Sequence, residues 1–79
     1  MSDIDDYARG VQVQATVNRI ISAIDRGGEQ AELYITDGVS TVYLRAPIPG
    51  QRRFAKGDKV GVRRYHHPEL KKWVDRIVN

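Results

Sequence analysis

Hydrophobic and polar residues alternate over three stretches of the chain, and each predicts a β-strand. In "VQVQATV" (residues 11–17), Val11, Val13, Ala15 and Val17 fall on one side and Gln12, Gln14 and Thr16 on the other. This period-2 pattern is that of a half-buried strand. The pattern slips at Asn18 and Arg19, ahead of Ile20, Ile21, Ala23 and Ile24. A slip inside a long strand predicts a β-bulge, which bends it. A helix over 15–24 competes, but its β-branched content and the lack of a cap disfavour it. "DRGGEQ" (25–30) predicts a turn. "AELYITDGVSTVYLR" (31–45) predicts a hairpin, with Asp37-Gly38 at the reversal. Leu33 and Ile35 share one parity of its first arm, and Val42 and Leu44 one parity of its second. Tyr34 and Tyr43 take the opposite parity, next to Arg45.

Pro47 and Pro49 lack amide donors, so "APIPGQRRFAK" (46–56) is expected to be a connector with at most one helical turn, near 52–55. Alternation resumes in "KGDKVGVRRYHH", with Val60, Val62 and Arg64 on one side and Lys59, Gly61, Arg63 and Tyr65 on the other; "HHPEL" turns the chain. The last segment, "LKKWVDRIVN", fits two periods. Leu70, Trp73, Val74 and Ile77 match a helical face, while Trp73, Asp75 and Ile77 alternate with Val74, Arg76 and Val78. A fifth strand would let the sheet close without long open edges, which favours the strand. The expected class is all-β: a five-stranded Greek-key barrel over residues 9–79, preceded by a flexible acidic tail over 1–8 with room for one helical turn.

Seventy-nine residues bury only about 60% of the surface their unfolded chain exposes, so the core is thin. With no cysteine, neither a disulfide nor a thiolate-bound metal can staple it. No apolar run reaches the ~20 residues of a membrane span, and "MSDIDDYARG" lacks the features of a secretory signal. The expectation is a soluble protein of the cytoplasm, or one associated with the nucleoid, without a membrane partner.

Three segments in order carry a resemblance: "VQATVNRI", "AELYITDGVSTVYLR" with its acidic-glycine turn, and "FAKGDKVGV", with Phe54, Gly57, Asp58, Val60 and Val62 in matching places. Over residues 9–78 the chain resembles the OB-fold family of oligonucleotide-binding barrels, of the replication protein A and anticodon-binding type. It departs from many members in the interval between strands three and four, where the family's helix is short or absent. The resemblance implies a ligand lying across the outer faces of strands two and three. Glu32, Tyr34, Thr36, Thr41, Tyr43 and Arg45 would then point outward. Exposed aromatic faces stack unpaired bases, and an adjacent arginine pairs with phosphate or stacks.

Charge adds to this picture. Residues 45–72 hold nine lysines and arginines against Asp58 and Glu69, a local net charge of +7, whereas Asp3, Asp5 and Asp6 make the first eight residues −3. Arg52, Arg53 and Lys56 in the connector, and Arg63, Lys71 and Lys72 on or near the last hairpin, are candidate phosphate contacts, and Tyr65 a candidate extension of the aromatic platform. Each feature has a plainer explanation: cross-strand tyrosines stabilise sheets without a ligand, and charged loops are often only solvated. Phe54 is expected to plug the barrel ahead of stacking, and Trp73 to enter the core, with stacking at a loop edge as its alternative. Adjacent His66 and His67 point opposite ways on a strand and have no cysteine partner, so no metal site is expected. Gly27-Gly28 lacks a phosphate-loop lysine, and no nucleophile–base pair or spaced carboxylate pair appears. The sequence therefore predicts a non-enzymatic module without cofactor that binds single-stranded nucleic acid, DNA ahead of RNA. The alternative is a protein-interaction subunit of a larger nucleic-acid-processing assembly, with a protein partner or a second copy of itself on the barrel.

Overall fold

The computed structural model describes residues 2–23, 28–50 and 52–78. A short helix, α1 (Asp3–Ala8), precedes five strands: β1 (Val13–Ala23), β2 (Gly28–Thr36), β3 (Thr41–Pro47), β4 (Lys59–His67) and β5 (Lys72–Ile77). They form one antiparallel sheet in the order β3-β2-β1-β4-β5. β3 and β5 approach each other at the free edges, so the sheet curls into a nearly closed, OB-like barrel.

β1 makes this closure possible. Its first residues pair with β4, from Val13↔Val62 to Thr16↔Lys59, and its later ones with β2, from Thr16↔Tyr34 to Ala23↔Gly28. The register shifts between Val17 and Arg19, the bulge that the slipped pattern predicts. The extra residue restores Ile20 to the inward side and leaves Asn18 and Arg19 outside, where both reach Glu32. The turn expected over 25–30 lies partly outside the described residues, since 24–27 are not among them, as does Gly27 of the glycine pair; β2 starts at Gly28.

The core follows strand parity. Val13, Ala15 and Val17 of β1, Ala31, Leu33 and Ile35 of β2, Leu44 and Ala46 of β3, Val60 and Val62 of β4, and Ile77 of β5 are buried. Val11 falls before β1 and is exposed. Most of these side chains are small, as the interior of a narrow barrel requires. β2 and β3 pair without a break from Gln30↔Pro47 to Thr36↔Thr41. Their loop takes four residues, 37–40. The Asp37 carboxylate accepts from the amides of Val39 (2.9 Å) and Ser40 (2.8 Å), and Gly38 supplies the left-handed backbone (φ 91°). These amides hold the carboxyl of Asp37 below its ordinary range, the Ser40 bond contributing most.

Three expectations are revised. The helical turn near 52–55 does not form: the described connector residues carry no helix, and the turn falls at 56–57. Ile48 and Phe54 nevertheless pack against the core, so the connector still covers it. Residues 1–8, expected as a flexible tail with one helical turn at most, contain the six-residue α1. Ser2 caps it by accepting from the Asp5 amide, and Gly10 (φ 81°) ends it, with Gly10 N–H bonded to Tyr7 O and Val11 N–H to Asp6 O. Ile4 and Tyr7 pack on the core. The chain's end forms β5, pairing with β4 from Val62↔Ile77 to His67↔Lys72, and Trp73 stands 54% exposed instead of entering the core.

Among the described residues no helix is long and apolar enough to cross a membrane.

Candidate nucleic-acid interface

On a pleated sheet, burying Leu33, Ile35 and Leu44 forces their neighbours outward. The unbroken β2–β3 register then places Glu32 opposite Arg45, Tyr34 opposite Tyr43 and Thr36 opposite Thr41 on the outer face. The two tyrosine rings lie 6.2 Å apart at 55°, a tilted contact within the range of favourable aromatic pairs. Tyr43 is 65% exposed, and Tyr34 is half-buried. On the far side of Tyr34 stands Thr16 of β1, and opposite Thr16 stands Lys59 of β4. The Lys59 ammonium donates to Thr16 Oγ1 at 2.7 Å. One row thus crosses four strands: Tyr43, Tyr34, Thr16, Lys59.

The neighbouring row is ionic. Glu32 accepts from Asn18 Nδ2 (2.8 Å) and from Arg19 Nε (3.1 Å), and Arg45 approaches it at 4.0 Å. The hydrogen bond from Asn18, and after it that from Arg19, hold the Glu32 carboxyl below its ordinary range. Two guanidinium groups bracket one carboxylate, so the row carries a net positive charge beside the rings. Thr36 Oγ1 donates to Ser40 O (3.0 Å) and accepts from the Gly38 amide (3.1 Å), tying the loop down at the other side of the tyrosines.

The remaining candidate residues do not all join this face. Lys72 lines an open groove of about 410 Å³ between β3 and β5, together with Arg45, His67, Trp73 and Arg76, which connects it to the platform. Lys71 stands exposed in the β4–β5 turn, with φ 53°. Arg52 lies over the Phe54 ring at 4.8 Å and, with Arg53, lines a separate cleft shared with Ile20, Glu29 and Ile48. Lys56 sits in the turn ahead of β4. Arg63 and Tyr65 lie together on the outward side of β4, the guanidinium 5.0 Å from the ring centroid.

Three residues near the platform and its groove, Arg19, Lys59 and Arg76, are not among those the sequence singles out, and a fourth, Trp73, is one it assigns chiefly to the core. Lys59 was legible, since it falls on the outward parity of its strand. Arg19 was not, because its direction depends on the bulge. Trp73 has the inward parity of Ile77, but the β4–β5 hairpin runs on past the core. Beyond Val62 and Ile77, that side of the hairpin carries Arg64, His66, Trp73 and Asp75. The Arg64 guanidinium lies 4.8 Å from Trp73 and 5.4 Å from Tyr7, and His66 meets Trp73 edge-on at 5.2 Å. Tyr7 donates to Asp75 Oδ1 at 2.6 Å; burial, then this bond, push its phenol pKa well above the ordinary value. His67 Nδ1 accepts from the Leu70 amide (3.3 Å), a turn contact. Among the described residues no three potential metal ligands cluster.

No protein-family model matches the chain, and neither a curated protein nor a solved structure matches it.

Proposed function

We propose that this barrel is a non-enzymatic module that binds single-stranded nucleic acid, DNA ahead of RNA, across the outer face of β2 and β3. The observation that carries the proposal is the directly opposed pair of Tyr34 and Tyr43, outward and with Tyr43 65% exposed, flanked by Arg45 and by Lys59 through Thr16. Unpaired bases stack on such rings for about 1–3 kcal/mol each and with little sequence preference. Arg45, Arg19 and Lys59 supply phosphate contacts, which set affinity and its salt dependence but not sequence choice. Arg45 also lines the β3–β5 groove, so Lys72 and the exposed Trp73 extend the same surface. An OB-like barrel is compatible with this use and equally with others, so the proposal rests on the residues and not on the fold.

The test is a titration of labelled single-stranded DNA and RNA oligomers at low salt, followed by anisotropy and by quenching of tyrosine fluorescence. The expected result is binding that weakens steadily with salt. Combined Tyr34→Ala and Tyr43→Ala should weaken it at least about tenfold. No binding at low salt, or binding indifferent to the double substitution, overturns the proposal. A tight oligomer that buries Tyr43 would instead favour a protein-interaction subunit.

A further inference from the structure

We propose that the outward face of β4 and β5 is a second phosphate-contact station, occupied by the continuation of the single strand that crosses Tyr34 and Tyr43; the inference rests on the function proposed above. Arg63 and Arg76 stand directly opposite each other on neighbouring strands, both exposed. Like charges so placed destabilise a sheet. Among the described residues neither has a carboxylate within ion-pair distance. Asp75, the carboxylate within this hairpin's paired rungs, is opposite Arg64 and bonded to Tyr7.

Both guanidinium groups lie against the Tyr65 ring, and Arg63 is further tied to the backbone. Their central carbons lie 5.0 and 5.8 Å from the centroid of the Tyr65 ring, and Arg63 Nε donates to Gly10 O at 2.9 Å. That bond leaves the terminal amino groups of Arg63 for a ligand. Two arginine forks gathered against one ring, with no carboxylate of the described residues in ion-pair reach of either, suit a phosphate. Tyr65 is then the support of the clamp and not a stacking surface.

Continuity with the platform selects a nucleic-acid strand over an acidic peptide. The outward row of β4 runs Lys59, Gly61, Arg63, Tyr65, and Lys59 begins it beside Thr16 and Tyr34. Between the two basic residues Gly61 leaves a shallow cleft of about 230 Å³, lined by the neutral amides of Gln12 and Gln14. No carboxylate belongs to this row. The path covers roughly 10 Å across two interstrand spacings and roughly 13 Å along the four steps from Lys59 to Arg63.

Labelled oligothymidylates of about 4 and about 12 nucleotides, spanning the site sizes of such barrels, test the inference on the full chain. In Arg63→Gln/Arg76→Gln the longer oligomer should bind about tenfold more weakly. Its slope of log affinity against log salt should be shallower by about 1.4, or 0.7 for each phosphate no longer neutralised. The shorter oligomer should lose much less, and a thermal melt matching that of the wild type shows that the variant is folded. Arg76→Glu, at a side chain with no hydrogen bond to the backbone among the described residues, should act in the same direction. Equal losses for both lengths, or no loss for either, overturn the inference while leaving the tyrosine platform standing. A wild-type chain that binds neither oligomer overturns both. Loss of binding to a polyglutamate peptide without loss for the long oligomer would assign the face to an acidic protein and overturn it too.

Discussion

Glu32 is the carboxylate on the tyrosine face, and it acts in two ways. It orients Arg19 and Arg45 beside the rings, and it opposes a phosphate backbone passing over them. Glu32→Gln should therefore tighten single-strand binding by a few-fold at low salt and less at high salt, since the charges concerned are exposed and screened. The same substitution has a pH signature. The Glu32 carboxyl is depressed in the folded state, so its contribution to stability is present above the unfolded value of about 4.3 and is lost as pH falls through the lower folded one. Thermal melts of wild type and Glu32→Gln should differ at pH 7 and converge as acid carries the pH below the depressed folded value. At this scale the sequence exposes Tyr34, Tyr43 and Arg45, because strand parity alone decides which way they face. It hides Arg19, whose direction is reversed by one inserted residue.

At the scale of elements, α1 and the β4–β5 hairpin explain each other. A six-residue helix has little stability of its own, and its caps add only part of what it needs. Tyr7 anchors it, donating to Asp75 and lying against the Arg64 guanidinium. The same guanidinium lies over Trp73, so the helix buttresses the exposed indole at the end of the groove. Tyr7→Phe removes the hydrogen bond to a carboxylate and should cost about 1–2 kcal/mol, read from the midpoint of denaturant unfolding. The signals for α1 were present in the sequence: Ser2 three residues before Asp5, acidic residues in the first turn, Ile4 and Tyr7 on one face, Gly10 at the end. They did not suffice, because what Tyr7 binds is 68 residues away. Trp73 is the mirror case. Its parity is inward, but parity says nothing of where a strand leaves the core.

For the molecule as a whole, stability rests on a small set of packed aliphatic residues. A chain of 79 residues has about 4–12 kcal/mol to lose. Leu33 is fully buried at the centre, and Leu33→Ala should cost about 2–5 kcal/mol, enough to populate unfolded chains in mild denaturant. Because Leu33 and Tyr34 are consecutive, the same backbone that packs the core aims the platform. Any shift of β2 by one residue would exchange the two sets.

The sequence by itself determined the alternation of the strands, the slip in the first, the hairpin at Asp37-Gly38, and hence the outward placement of Tyr34 and Tyr43. These follow from local periodicity, which the pleat converts directly into direction. Only the tertiary structure decided that the last segment is a strand, that α1 docks, and that Trp73 stays outside. It also decided which of the dispersed basic residues meet. Each of these depends on contacts between residues far apart in the chain, and no local period of hydrophobic and polar residues encodes which distant partner will be there to meet them.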